Sequence, residues 1–191
     1  MMIRFQFDIE KAIEMMAFLI DRLGETDKIK LVKLIVCAEK EHFLQHGRPI
    51  TGDRLVAMPW GPVPSACLQL IDGHYEQAPV FDYLHVFDNK VSLRSKHYPH
   101  DRLTDSERAV LEQIIEQHGA KDTWPFVRET EQWPEYLETY QEDTSTTIPY
   151  ETILKHYHAG DESKFRRGRP VISPQMAQSM YCPTSRADRE L

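Results

Sequence analysis

Hydrophobic residues recur at helical spacing along the first fifty residues and predict two helices that pack together. The first helix follows Asp8, whose side chain suits a helix N-cap, and ends before Gly24. The second helix begins near Thr26 or Asp27 and runs to about His46, where a glycine follows to stop it. The first helix has one apolar face and is expected to serve as a packing element.

The second helix contains the most hydrophobic stretch of the chain. Within residues 29–38 only Lys30 and Lys33 interrupt the apolar run, so we expect this helix to be buried on most of its circumference. Each buried Leu, Ile or Val contributes about 1.5–3 kcal/mol, which makes this helix the expected centre of the core. The two lysines lie three positions apart on one narrow polar stripe, where we expect them to reach solvent or a partner.

Prolines, glycines and short alternating runs divide the middle of the chain. The stretch from Arg48 to Asp53 is a predicted loop, and residues 54–58 are predicted to form a short helical or extended piece. Pro62 is expected to start a further helix. Alternating apolar residues in 80–86 and 91–95 bracket Asp88-Asn89, which is a hairpin signal. A single hairpin is only marginally stable alone, so it should lie against the helices.

The second half of the sequence predicts several shorter helices. Thr104 and Glu107 form a capping box ahead of an amphipathic helix that closes near His118. A segment rich in aromatic residues follows, in which Pro134 restarts the helix. A last short helix is expected to start at residues 148–150 and to run to about His158.

The predicted fold class is mainly α (α+β): one helical domain over residues 1–160, with one small antiparallel β-hairpin packed against it.

Periodicity stops at Asp161, and residues 161–191 combine prolines with a basic run at Lys164–Arg169, which is typical of a tail. The tail holds six Lys/Arg against four Asp/Glu, whereas residues 1–160 hold 17 against 26. An acidic body makes nucleic acid an improbable partner and suits a basic one. An operon-regulating contact of the basic run with nucleic acid stays open.

The three cysteines of the chain indicate a reducing compartment. Cys37, Cys67 and Cys182 lie far apart and never form a CxxC pair. Acidic residues enter the N-terminal stretch before any apolar run of signal-peptide length, and no apolar run reaches the roughly 18 residues of a membrane span. We therefore expect a cytoplasmic protein without membrane contact.

One group of polar residues has the spacing of metal ligands. Glu39, His42 and His46 recur on one face of the second helix. The HExxH zinc signature also needs a glutamate directly after the first histidine, where this chain has Phe43. Solvent-facing histidines near a helix end are the simpler interpretation, and a metal-dependent enzyme that uses Glu39, His42 and His46 is the alternative. The chain has no recognised catalytic motif, so we assign no catalytic residue, cofactor or metal ligand.

An acidic segment in the second half has two interpretations. Residues 122–151 hold eight Asp/Glu and one base, Arg128. They form either a solvated acidic face over aromatic core residues or a docking surface for a basic partner.

A resemblance to a known family begins in the second helix and ends in the connector that follows it. The residues that carry it are Lys33, Leu34, Gly47, Pro49, Thr51, Asp53, Ala57, Gly61, Pro62 and Val63. In this order and spacing they resemble the Panacea domain of the SocA-like antitoxin family, which includes phage-associated members. The resemblance extends more loosely over roughly residues 8–158.

This resemblance implies a non-enzymatic antitoxin that neutralises a cognate protein toxin by direct contact. Some relatives hand the toxin to a Clp-type protease, so it also implies a proteolytic adaptor. The residues expected to bind the partner lie near the connector and in the acidic segment: Asp53, Arg54, Trp60, Glu131, Trp133 and Glu135. Aromatic residues in a charged rim have the composition of interaction hot spots, although core packing stays open for both tryptophans.

Overall fold

The computed structural model describes residues 3–75, 78–142 and 144–158. The helices in this part of the chain are α1 (Ile9–Leu23), α2 (Lys28–His46), α3 (Ser65–Ile71), α4 (Val80–Tyr83), α5 (Asp105–His118), α6 (Thr123–Thr130), α7 (Pro134–Thr139) and α8 (Tyr150–His158). The strands are β1 (Thr26–Asp27), β2 (Leu55–Met58), β3 (Gly61–Pro64), β4 (Leu84–Phe87), β5 (Lys90–Leu93) and β6 (Thr146–Thr147).

Helix α2 is the centre of the core, as its apolar run predicts. Every residue from Leu31 to Lys40 is buried, and α1, α5, α6 and β3 pack around this helix. Gly47 ends α2 in the left-handed conformation, with a φ of 74°, and its N–H donates to the carbonyl oxygen of Phe43. The predicted start and end of this helix are therefore confirmed.

The α-dominated α+β class is confirmed, but the described residues form two small antiparallel sheets where one hairpin was expected. Strands β4 and β5 form the predicted hairpin, although residues 80–83 of its expected first strand form α4. Strand β1 pairs along the free edge of β5. Asp88 and Asn89 occupy its turn with φ values of 43° and 64°, as a type I′ turn requires. The second sheet has the strand order β3-β2-β6.

The second sheet contains a hairpin that the sequence did not predict. Ala57 pairs with Pro62 and Met58 pairs with Gly61, which leaves Pro59 and Trp60 as a two-residue turn. Pro62 therefore lies in strand β3 and does not start a helix. A proline cannot donate to a strand ladder, but β3 is an edge strand, where proline is tolerated.

Three predicted boundaries in the second half of the chain are confirmed. Thr104 and Glu107 form the capping box of α5, Pro134 is the first residue of α7, and α8 begins at Tyr150. The predicted tail and the domain boundary at residue 160 lie outside the described residues. Among the helices that the structure describes, none is long and apolar enough to cross a membrane.

Candidate partner-binding groove

A buried carboxylate of α2 fixes the loop that follows this helix. Glu39 accepts hydrogen bonds from the backbone N–H groups of Ile50 (2.8 Å) and Thr51 (3.0 Å), and the Thr51 hydroxyl also donates to it. His42 is buried beside the same loop, with Nδ1 2.7 Å from the carbonyl oxygen of Arg48. Burial lowers the pKa of His42 to about 4. The prediction that this histidine faces solvent is wrong, because the loop folds back over its face of α2.

The metal-ligand spacing on α2 does not gather a cluster of ligands. Within residues 3–75, 78–142 and 144–158, no group of three or more His, Cys, Asp or Glu side chains could hold a metal ion. Glu39 is engaged by the loop, and the ring of His42 packs on that of His46 with their centroids 4.4 Å apart. Glu39 and His42 therefore hold the connector against α2.

Asp53 ends the connector and caps the next helix. Its Oδ1 accepts from the N–H of Ala66 (2.9 Å) and its Oδ2 from the N–H of Cys67 (2.7 Å), at the start of α3. Gly52, with a φ of 79°, passes so close to the N-terminal segment that a Cβ there would lie 2.3 Å from the carbonyl oxygen of Gln6. Asp53 is 1% exposed, so the expected exposure at this position is wrong. Its carboxylate stabilises the path of the chain into the β2–β3 hairpin.

Trp60 projects from the β2–β3 turn in a strained backbone conformation. Its φ of 69° follows Pro59, and this place in a turn usually holds glycine. A bulky residue in this region costs roughly 1–3 kcal/mol. The side chain is 59% exposed, and its ring meets that of Trp124 edge to face, with the centroids 6.1 Å apart. The turn therefore holds an exposed indole at a fixed position.

The two tryptophans stand beside a groove of about 770 Å³. Its walls are the first turns of α2, the β2–β3 hairpin, α3 and the start of α6. The apolar side chains that line it are Ile29, Val32, Met58, Val63 and Leu68. A concave apolar surface of this size with exposed aromatic residues at its edge is typical of a binding site.

Lys33 lies at the floor of this groove. Its Nζ donates to the carbonyl oxygen of Pro62 at 2.8 Å, and its side chain is 1% exposed. Burial lowers the pKa of Lys33 to about 7, against the opposing effect of Glu131. Gly61 admits the amine because it has no side chain: a Cβ there would lie 3.1 Å from Nζ and 2.6 Å from Oγ1 of Thr130. The expectation that Lys33 reaches solvent is wrong.

The residues that carry the family resemblance therefore fall into two structural groups. Lys33 and Val63 line the groove, and the Lys33 amine contacts Pro62 and lies beside Gly61. The other residues fix the fold, either in the buried core or at the end of α2 and in the loop after it: Leu34, Gly47, Pro49, Thr51, Asp53 and Ala57.

The acidic segment directs much of its charge toward its own chain. Nζ of Lys40 lies 2.9 Å from Oε1 of Glu135 and 3.2 Å from the ring centroid of Trp133. Burial lowers the pKa of Lys40, and Glu135 opposes this effect. Two further ion pairs join acids of this segment to nearby bases: Glu129 with Lys121, and Glu138 with Lys155. Trp133 and Glu135, which are predicted partner contacts, both lie against Lys40, and their contact with a partner stays a prediction.

Two of the predicted contact residues lie close together at the hairpin. Trp60 is at its tip, and Cγ of Glu131 lies 3.6 Å from the position of a Cβ on Gly61. Arg54 is exposed at the other end of β2 and donates to the Ser65 hydroxyl.

Sequence reasoning did not select Trp124, although the sequence contains a signal for it. Phe126 and Val127 define the buried face of α6, and Trp124 falls on its polar face in line with Arg128. A tryptophan at a polar position of an amphipathic helix indicates a surface contact.

Comparison with known protein families gives one match. The family model described as Antitoxin SocA-like, Panacea domain, matches residues 31–136, which is more than half of the chain. The matched region contains Lys33, the β2–β3 hairpin and Trp124. Comparisons with curated proteins and with solved structures gave no match.

Proposed function

This chain belongs to the SocA-like antitoxin family with the Panacea domain, and we propose that it neutralises a cognate protein toxin by direct binding at the groove. The observation that carries this proposal is the exposed pair of Trp60 and Trp124 beside an apolar groove. Tryptophan is enriched among the residues that dominate binding energy, and such residues fill or flank desolvated pockets.

The strained turn supports the same surface. Backbone strain persists where the surrounding structure over-determines it, and strained residues cluster at functional sites. Glycine at position 60 would adopt the observed φ without strain, so the backbone conformation of the turn does not require an indole there. The acidic segment is a weaker candidate surface, because Glu129, Glu135 and Glu138 already pair within the chain.

We infer that the protein acts by binding and not by catalysis, in the cytoplasm, and that its action needs no cofactor. The adaptor role is a second level of the same proposal: the bound toxin is handed to a Clp-type protease. Toxin abundance measured with and without that protease separates the two modes. A fall in abundance that depends on the protease indicates delivery, whereas full protection at constant toxin abundance indicates sequestration alone.

Co-expression with the product of the adjacent gene, as candidate toxin, tests the proposal. We expect the wild-type protein to restore growth and to co-elute with the toxin on gel filtration. Trp60→Gly should lose both properties at equal abundance, because it removes the indole while the backbone keeps its φ. Leu137→Ser is the matched control, since Leu137 is also an exposed apolar side chain but lies on α7, away from the groove. An adjacent gene product that is not toxic and forms no complex would refute the proposal.

A further inference from the structure

We propose that the groove accepts a toxin segment that carries one carboxylate among apolar side chains, and that the Lys33 ammonium pairs with this carboxylate. The inference rests on the proposed function, because it names the chemistry of the same contact. Two properties of the groove indicate the chemistry of this segment: the apolar walls, and the Lys33 ammonium at the floor, which has N–H donors left for a ligand.

Lys33 differs from the other buried Lys, Asp and Glu side chains that the structure describes. Those others are engaged by opposite charges or by N–H and hydroxyl donors: Glu14 with Arg108, Glu107 with Lys11 and Arg48, Lys40 with Glu135, Glu39 with Thr51, and Asp53 with Cys67. Within the part of the chain that the structure describes, Lys33 has one acceptor, the carbonyl oxygen of Pro62. An ammonium has three N–H donors, so two remain for a ligand at the groove floor.

Below pH 7, where the Lys33 amine is protonated, the titratable groups around it do not cancel its charge. Glu131 faces Lys33 but, in the described structure, lies beyond ion-pair distance, and Cys37 is a neutral thiol because burial raises its pKa to about 12. The acids at the groove rim are already paired with bases of the chain: Asp27 with Lys90, and Asp72 with Lys28. An incoming carboxylate therefore meets neutralised acids at the rim and an uncompensated cation below them.

The apolar walls favour apolar side chains next to the carboxylate of the bound segment. Ile29, Val32 and Leu68 face the groove, and the two indoles flank its mouth. A segment with apolar side chains beside its acid buries them against these walls and excludes water from the ion pair. A charge pair is stronger in such a low-dielectric site than at an exposed surface.

This pairing makes binding depend on pH. The carboxylate binds the charged amine, and the pKa of the free Lys33 side chain is about 7, because of burial. Above that pH the complex takes up a proton that the free protein lacks, so affinity should fall by up to about tenfold per pH unit. Below it the amine is already charged, and affinity should level off.

Binding measurements on the full chain test the pairing. The dissociation constant for the toxin should rise at least about thirtyfold in Lys33→Met, because one partner of a desolvated pair is removed. The variant should also lose the pH dependence above pH 7. Lys30→Met is the matched control: it makes the same change one turn earlier on α2, at an amine that donates to the carbonyl oxygen of Gly119 and does not line the groove. It should bind like the wild type.

The outcomes separate this inference from the proposed function. If Trp60→Gly loses the toxin while Lys33→Met binds it with unchanged affinity and pH dependence, the groove is the toxin site and the pairing is refuted. If the wild type binds no toxin, the proposed function fails, and a probe without toxin still decides the ligand chemistry.

That probe is 4-phenylbutyrate, an apolar carboxylate, compared with its neutral amide. We expect the acid to shift the indole N–H resonances of Trp60 and Trp124 in the wild type. The amide should need a concentration at least about tenfold higher to produce the same shifts. The acid should lose this advantage in Lys33→Met. Equal shifts from acid and amide, or no shift from either at millimolar concentration, would overturn the proposal.

Discussion

Replacing Lys33 with methionine should stabilise the fold at neutral pH. The side chain is 1% exposed, and its burial lowers the pKa from 10.5 to about 7. One pKa unit corresponds to about 1.4 kcal/mol, so an amine held in this site at pH 7 or below costs roughly 4–5 kcal/mol relative to the unfolded chain. Methionine has a similar length and an apolar end that suits the site.

The substitution also removes one favourable contact. Without the amine, the buried carbonyl oxygen of Pro62 loses its donor, which costs about 1–3 kcal/mol. The net gain is therefore about 1–4 kcal/mol, which should raise the melting temperature by about 2–4 °C for each kcal/mol in a domain of this size. Lys30→Met serves as the control and should give no gain, because Lys30 is only partly buried.

The stability that Lys33→Met gains over the wild type should decline as the pH rises above 7. Between the folded pKa of about 7 and the unfolded value of 10.5, the unfolded wild-type chain binds more protons than the folded chain. Wild-type stability therefore rises with pH in this window, relative to a variant without the amine. The advantage of Lys33→Met is full below pH 7 and declines as the pH rises toward 10.5.

Urea denaturation of both variants and the wild type at several pH values checks this reasoning. A Lys33→Met variant that is less stable than the wild type at pH 6 would refute it. So would a gain that stays constant from pH 6 to pH 9, since a buried charge could not then be its cause.

Two other substitutions test how the groove is supported, each by the free energy of unfolding in urea. Asp53→Ala removes the acceptors for two N–H groups of α3 and should lower this free energy by about 1–3 kcal/mol. Arg54→Ala is the exposed control, and equal stability of the two variants would contradict the capping role of Asp53. Glu135→Gln leaves Lys40 without its carboxylate and should lower the free energy of unfolding by about 3–5 kcal/mol. Glu138→Gln is the control at an exposed pair and should change this free energy little. A similar small effect of both substitutions would argue against a stabilising role of the buried pair.

The elements that the sequence predicted have strong local signals. Asp8, Thr104 and Pro134 mark helix starts, and the apolar run of α2 identifies the core before any tertiary contact is known. The β2–β3 hairpin has no such signal. Its turn is Pro59-Trp60, and Pro62 lies in an edge strand, so local rules for hairpins and strands point elsewhere.

The candidate site was only partly predictable for a related reason. Asp53 and Glu135 are polar residues beside turns and helix starts, which indicates exposure, but each is buried by a partner distant in sequence. Periodicity along one helix cannot show that Lys33 meets a hairpin about thirty residues later. Trp60 is a predicted contact because aromatic residues in a charged rim have the composition of interaction hot spots, whereas Trp124 is not among the predicted contacts.

Hydrogen–deuterium exchange on the complex with the toxin locates the surface that binds it. We expect toxin binding to protect the backbone amides of the β2–β3 hairpin and of the first turn of α6, while α7 and α8 exchange as in the free protein. Protection confined to α7 and α8, with the hairpin unchanged, would contradict the claim that the groove beside Trp60 and Trp124 binds the toxin.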